Sequence, residues 1–586
     1  MKKRALILFC LLLIPKLILG QYQMQNEKEL KGFNAIPKEQ VFIHLNDNFL
    51  LSGEYLYYKF YGLDAKNSTP SKISKIGYVI LLGEKNSVVF QHKIKLIDGQ
   101  GQGDFFVPSN IKTGHYKLIG FTQWMRNQGE SSFFITDLVI VNPYRELPEV
   151  SNKLFCEEIV PSISDSLVRD SITKEKYPLF QFNLRQRIFK KRELVQFEIR
   201  DIMDLGLSDV SISVRKKEAI AVPFQKKSTS LIESNFAFDR EPRLKTSDSI
   251  YLPELRGELI SGHLISKTTK KPIVNKSISL SVGGNQGLTK VSRSSKNGSF
   301  FFNLDKGHRD DQVLFKLLDN SNDNVEIKLD STAINTNIFN FKELFISSDL
   351  NSIFEQRSIY NQIENAFFEQ KLDSIINSNS TIAAYNEYQE KYKLDDYTRF
   401  STLRETIIEI IEDVFVKKRK GRLFVQVRGK NEFFIDFEDE PLVLVDHMLI
   451  KDVTSLFEYD IKKIKQIGIS RDEFYFGSKK YQGIFSITTI HGDYPVIPEE
   501  KSWVRKILGP IALKQYFKQD YRIGSKSKNN NADFRQQLVW LPKAKIDKKA
   551  TFEFYTSDNL GVYEISVEGF TEKGVPISIT ENIKVE

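Results

Sequence analysis

Cysteine is almost missing from this chain: its 586 residues hold two, Cys10 and Cys156. Cys10 sits inside an apolar run rather than at its end, which argues against a lipid-anchor site. Without that leader only Cys156 remains, so an internal disulfide is excluded. Core burial then has to replace covalent staples, which a chain this long can manage. Cys156 itself reads as a small buried hydrophobe.

Long apolar runs are lacking as well. Lys2, Lys3 and Arg4 precede Ala5–Pro15, and Leu17–Gly20 ends on a small residue. This is the pattern of a secretory signal peptide over residues 1–20, with Gln21 as the expected new N-terminus. The stretch falls short of the ~20 apolar residues needed to cross a bilayer, and no other window approaches that length. The expectation is an exported chain, periplasmic, associated with the outer membrane or at the cell surface, with peripheral membrane association allowed.

A dominant charge sign is lacking too. The net charge of +9 falls to +5 once Lys2, Lys3, Arg4 and Lys16 leave with the leader. Basic clusters are short (Lys417–Lys420, Lys548–Lys549) and have no interleaved aromatics in the sequence, so they read as solvated surface and not as a nucleic-acid footprint.

Catalytic motifs are the last absence. The seven histidines (His44, His92, His115, His263, His308, His447, His491) are scattered, and none opens a His-Glu-x-x-His or His-x-x-Glu motif. No Gly-x-Ser-x-Gly elbow or Lys-Ser/Thr phosphate loop occurs. Gly99, Gly101 and Gly103 alternate between strands, which suits a hairpin. Asp98 and Asp104 lack the Asp-x-Asp spacing of a calcium loop. Asp395, Asp396 and Arg399 read as a helix entry with a local ion pair, and Glu438-Asp439-Glu440 as a loop. Trp124-Met125-Arg126-Asn127 is either an interaction tip or the plug of a sandwich base, the latter preferred. Phe474-Tyr475-Phe476-Gly477 is expected to pack a turn rather than present a sticky loop. No catalytic, cofactor-binding or metal residue is assigned, and no cofactor is expected.

What is present is two-residue alternation. Val41–Leu45, Tyr55–Tyr61, Tyr78–Leu82, Val88–Leu96, Gly103–Val107, His115–Thr122 and Ser132–Val141 follow one another at sandwich spacing. Leu194–Ile199 and Val210–Val214 continue the habit, and Lys226–Ser249 is a polar loop. Glu258–Ile265, Ile278–Val282 and a hairpin at Asn297-Gly298 form a further β unit. Residues 340–415 turn helical: Ile359, Ile363 and Phe367 share a stripe, and Thr402 with Glu405 makes a capping box before Leu403, Ile407, Ile410 and Val414. Residues 421–491 mix short helices with strands, and Arg535–Glu586 alternates again. The fold class is mainly β: serial immunoglobulin-like β-sandwich domains with a helical segment and a small α/β domain.

Several segments resemble known modules. VFIHLNDNFLLSGEYLYYKFYGLD and DGQGQGDFFVPSNIKTGHYKLIGFTQWMRNQGE look like the two halves of a macroglobulin-type domain, as in bacterial alpha-2-macroglobulins. LRGELISGHLISKTTKKPIVNKSISLSV with SKNGSFFFNL resembles the carboxypeptidase regulatory-like sandwich. YKLDDYTRFSTLRETIIEII, PLVLVDHMLIKDVTSLFEYDIKKIKQIGI and FYFGSKKYQGIFSITT resemble the plug domain of TonB-dependent receptors, and DFRQQLVWLPKAKIDKKATFEFYTSDNLGVYEISVEGF a second macroglobulin-type domain. The ordered string is similar to envelope proteins of Bacteroidota type. It implies a macroglobulin-type sandwich over 37–146, a second sandwich with a loop over 150–250, a regulatory-like sandwich over 251–332, a helical segment over 338–416, a plug-like domain over 421–495, and a loop plus C-terminal macroglobulin-type sandwich over 496–586.

The departures matter. His447 follows Asp446 where the plug pattern has Gly, so that turn is expected to change. A barrel of ~22 strands does not fit after the plug-like segment. The thioester motif Cys-Gly-Glu-Gln is absent, Cys156 standing in FCEE. The resemblance implies a non-enzymatic binding or scaffold protein, an accessory subunit docking on an outer-membrane complex such as a TonB-dependent receptor or a secretion channel. The alternative is a macroglobulin-like proteinase inhibitor or sensor without a thioester, with Lys226–Ser249 or Ser525–Asn531 as bait.

Overall fold

The computed structural model describes residues 22–23, 26–145, 156–159, 179–218, 220, 225–231, 249–285, 287–305, 312–319, 324–376, 388–419, 421–430, 440–522 and 531–586. The expected signal peptide lies outside them. Two compact units divide the chain, one holding Gln23–Gly257, Ile334–Asn377 and Pro510–Glu586, the other Glu258–Ala333 and Ser378–Gly509 with the first residues of the chain. Both are built mainly of β-sheets packed as sandwiches.

In the first unit, residues 39–141 form a sandwich. Glu39–Leu45, Tyr55–Asp64 and Gln100–Phe106 make an antiparallel three-stranded sheet. It faces a five-stranded sheet of Phe49–Leu51, Phe134–Val141, Gly114–Phe121, Ile76–Gly83 and Ser87–Lys95. Their inward residues, among them Phe42, Leu56, Tyr58, Phe60, Tyr78 and Leu118, fill one core. The glycine run, expected as a hairpin, instead carries the chain from Ser87–Lys95 in the five-stranded sheet to Gln100–Phe106 in the three-stranded one, with Asp98 and Gly99 at positive φ in the turn. Gly101 and Gly103 lie where any Cβ would collide with Ile94 and Tyr58.

The second sandwich corrects the expected domain order. Phe180–Leu184 and Leu194–Asp201 share a sheet with Lys549–Tyr555. Ser208–Lys216 lies between Gly561–Thr571 and Gln537–Ile546, with Val214 opposite both Ile565 and Val539. Pro576–Val585 and Ile188–Phe189 complete that sheet. The expected separate sandwiches over 150–250 and 496–586 are therefore one. The physical reason is that Ser208–Lys216 is buried almost throughout. It needs a neighbour on each edge, and too few strands nearby in sequence can cover it.

The helix Asn351–Ala366 also departs from expectation. Its buried residues are Phe354, Arg357, Ser358 and Asn361, while Ile359 of the expected apolar stripe is 48% exposed. A largely polar face packs inward because its charges find partners, as described below.

In the other unit, Ser299–Leu304, Glu258–Ser266 and Val325–Leu329 face Leu288–Arg293, Ser277–Val282, Gln312–Leu317 and Ser502–Lys506. Asn297-Gly298, expected as a hairpin, is instead a corner between the two sheets: the strands before and after it lie in different layers. Ser502–Lys506, expected just before or within a loop, supplies an edge strand from outside the expected 251–332 boundary.

The α/β module has a five-stranded sheet ordered Glu390–Lys393, Ile464–Phe476, Lys479–Thr489, Leu442–Val445 and Met448–Leu449. The helix Leu403–Ile410 covers it, capped by Thr402, whose hydroxyl accepts from the Glu405 amide, with the Glu405 carboxylate accepting from Ser401. The expected helical segment 338–416 is thus divided. Its second half belongs to this module, which begins near residue 390 and not at 421, and Val414 opens a strand instead of ending the helix. Propensity sees helix in both halves; the intervening Glu390–Lys393 reveals itself only by pairing with 466–469.

Candidate functional site

The Gly53-Glu54 turn that precedes the aromatic strand Tyr55–Asp64 delivers a carboxylate into the interior. Glu54 accepts from Arg215 at 2.7 Å, from Arg357 at 2.7 and 2.8 Å, and from Asn361 at 2.9 Å. The Arg215 Nε–H donates to Asp47 at 2.6 Å. All three principals, Glu54, Arg215 and Arg357, are buried. Burial alone would raise the Glu54 pKa, but the two guanidinium groups overcome it and hold the carboxyl at about 2. These residues come from the first sandwich, the second sandwich and the helix Asn351–Ala366. The cluster is a clasp: each of these buried charges is paired with another.

A second tie closes the same sandwich near its C-terminal half. Arg535 donates to both oxygens of Asp533 at 2.7 Å, and Arg192 donates to Asp558 at 2.7 and 2.5 Å. Burial works against the Asp533 charge, yet Arg535 and Lys371 hold its pKa down to about 2.

The nearest approach to catalytic geometry is His44 with Ser211. The Nδ1–Oγ distance is 2.7 Å, and Nε2 lies 3.2 Å from Ser566 Oγ. A hydrolytic triad needs a carboxylate behind the imidazole; here a second hydroxyl stands there. His44 is 1% exposed, and burial lowers its pKa to about 3, so it stays neutral. The arrangement braces the strand of His44 against those of Ser211 and Ser566.

Glu568 is a buried carboxyl whose direct partners are hydroxyl and amide donors. It accepts from the Ser228 amide at 2.8 Å, the Ser228 hydroxyl at 2.6 Å and the Ser578 hydroxyl at 2.7 Å. Burial raises its pKa to about 7. It pins residues 225–231, the described start of the polar loop, onto the second sandwich.

The residues singled out by sequence fall mostly into structural roles. Trp124 is buried, with Nε1 donating to the Pro37 carbonyl at 2.9 Å, so it seals the sandwich base. Asp104 is ion-paired with Lys514 at 2.8 Å, and Asp98 is a turn residue. Arg399 pairs with Asp395 at 2.5 Å and donates to the Ile461 and Ile464 carbonyls. Phe476 packs with Leu318, Leu444 and Tyr481, leaving Tyr475 exposed at the hairpin end. Asp446 and His447 both take positive φ, forming the altered turn; the Asp446 carboxylate accepts from Thr489 and from the Tyr494 amide. The Cys156 side chain, His308, Glu438, Asp439 and most of Ser525–Asn531 lie outside the described residues. Among the described residues no group of three or more His, Cys, Asp and Glu is placed to hold a metal ion.

Sequence reasoning missed the clasp because its members lie 161 and 303 positions apart. It also missed an aromatic surface on the first unit. There Tyr55 lies between Phe106 at 5.1 Å and Phe368 at 6.3 Å, both partly exposed.

No protein-family model matches the chain, and no curated protein does. Among solved structures it is similar to Salmonella alpha-2-macroglobulin reacted with methylamine (8% identity, TM-score 0.23, covering 98% of this chain and 40% of that one). Another is Escherichia coli alpha-2-macroglobulin activated by porcine elastase (9%, TM-score 0.23, 94% and 44%). A third is a tetra-tandem repeat from the extending region of a large adhesion protein (7%, TM-score 0.14, 94% and 100%). The chain spans less than half the length of the macroglobulins it matches, and similarity at these scores carries no functional argument.

Proposed function

We propose that this chain is a non-enzymatic binding or scaffold protein of the cell envelope, an accessory subunit that docks on an outer-membrane receptor, transport or secretion complex. The observation that supports it is the closure of the second sandwich. Arg215 is register-paired with Gln537, so everything between them leaves and returns at adjacent points of one sheet. Such a frame holds both ends of a long insertion in place. The buried charges beside it are spent on the clasp, which favours a holding role over chemistry. The resemblance of the inserted segments to regulatory-like and plug-like modules suggests a barrel-bearing partner.

Crosslinking in intact cells, followed by identification of the adducts, tests the reading. The expected product joins this chain to an outer-membrane barrel protein. Isolation from solubilised outer membranes with no barrel protein attached, or turnover of an envelope polymer by the purified chain, overturns it. The proteinase-inhibitor alternative needs an accessible bait, and the described start of its first candidate is anchored through Ser228. Added chain should therefore leave proteinase activity unchanged.

A further inference from the structure

The first strand of the second sandwich, Phe180–Leu184, lies at the edge of its three-stranded sheet and pairs on one side only, with Leu194–Asp201. The Ile202 amide donates to the Leu179 carbonyl, which sets the phase of that ladder. Hydrogen-bonded and open positions alternate along an antiparallel pair. Leu179, Gln181 and Asn183 therefore aim their backbone groups at Leu194–Asp201, while Phe180, Phe182 and Leu184 aim theirs outward. Among the described residues nothing bonds to those outward amides and carbonyls.

The side chains are left unfinished in the same place. Phe180, Phe182 and Leu184 pack against the sandwich core yet stay half-buried, and Gln181 is exposed. The first sandwich shows a finished edge. Its strand Glu39–Leu45 is likewise the first of a three-stranded sheet facing five strands. That strand is buried throughout, and Gln225 Nε2 donates to the Leu45 carbonyl at 2.7 Å.

Open edges are ordinarily guarded by Lys or Pro, yet residues 179–184 hold no charge and no proline. The strand is also complementary to itself. Turned antiparallel about Phe182, a second copy sets Phe182 against Phe182 and Phe180 against Leu184 in hydrogen-bonded pairs. Gln181 then meets Asn183 in the closer, non-hydrogen-bonded pairs on the other face. Rings meet apolar partners and amides meet amides, while Arg185 falls opposite Leu179 and not opposite another cation.

We propose that two copies of this chain associate through Phe180–Leu184, joining their three-stranded sheets into one continuous sheet across a twofold axis at Phe182. A strand lent by an unrelated protein would ask for no such self-complementary order on this side. The inference goes beyond the docking reading above and does not depend on it.

The test is sedimentation equilibrium of the purified chain, in reductant so that Cys156 cannot link copies. The wild type is compared with Q181K/N183K and Q181K/N183E, whose changes avoid the core-facing side chains. The expected wild-type result is a mass that doubles as concentration rises. Q181K/N183K sets Lys against Lys at both outer pairs and should associate about tenfold more weakly. Q181K/N183E sets Lys against Glu at the same positions and should associate at least as tightly as wild type. Recovery in the second variant shows that misfolding is not the cause in the first. A wild-type chain that stays monomeric up to about 100 μM overturns the proposal. So does a dimer indifferent to Q181K/N183K, which places the interface elsewhere, or one weakened equally by both variants, which refutes the register. A monomer that captures a barrel protein through a photocrosslinker at position 181 also overturns it, in favour of a strand from that partner. The docking reading survives any of these results as long as barrel-protein crosslinks form in cells.

Discussion

Glu568 offers the sharpest test of the interior. Its carboxyl is held at about 7 by burial, against a reference value of 4.5. The folded chain therefore holds this proton more tightly than the unfolded chain does. The group's contribution to stability is fully present below pH 4.5, erodes as pH rises, and is gone above about 7. The difference between the two values is 2.5 units, which at 1.36 kcal/mol each gives roughly 3 kcal/mol lost across that window. Glu568→Gln keeps the shape and a carbonyl for the Ser228 donors but does not titrate. It should leave stability near pH 5 almost unchanged and raise it by up to roughly 3 kcal/mol at pH 8, or about 6–12 °C in the transition of a sandwich of this size. The comparison must be a difference between variant and wild type, because His44, with its pKa lowered to about 3 by burial, acts with the opposite sign and costs stability as pH falls below 6.5. Differential scanning calorimetry from pH 5 to 8 reads it directly. A variant-minus-wild-type difference that stays flat over that range refutes the reasoning, because Glu568 would then be ionised throughout.

Arg357→Met leaves Glu54 buried with one guanidinium in place of two, and should cost about 3–5 kcal/mol in denaturant unfolding; adding Glu54→Gln should recover part of that loss. His447 occupies a left-handed position in the turn after Leu442–Val445. His447→Gly should be neutral or stabilising by up to about 1 kcal/mol, while His447→Val should lose about 1–2 kcal/mol, read as shifts in Tm. Truncation before Gln537 removes both neighbours of Ser208–Lys216. The product should leave residues 179–216 open to protease digestion while the 39–141 sandwich stays resistant.

How much of this could be read beforehand depended on the range of the interactions. Alternation placed Leu194–Ile199 and Glu258–Ile265 in strands, because burial on one face leaves a period of two in the residues themselves. It could not say that Val214 pairs with Val539, since every alternating strand offers the same edge to every other. The stripe of Ile359, Ile363 and Phe367 pointed to the wrong face of its helix, because an apolar pattern has no term for Arg357 finding Glu54. The His44–Ser211 contact had no local signal in the sequence at all.

The pairing of Val214 with Val539 also sets a timetable. The two residues are 325 positions apart. At ~5–20 residues per second, a ribosome needs roughly 15–65 s to make the second after the first. For that interval Ser208–Lys216, almost entirely apolar on its inward side, has neither flanking strand. A bare strand of this kind invites pairing with other chains, so the newborn polypeptide depends on a chaperone or on delayed collapse until its last fifty or so residues arrive.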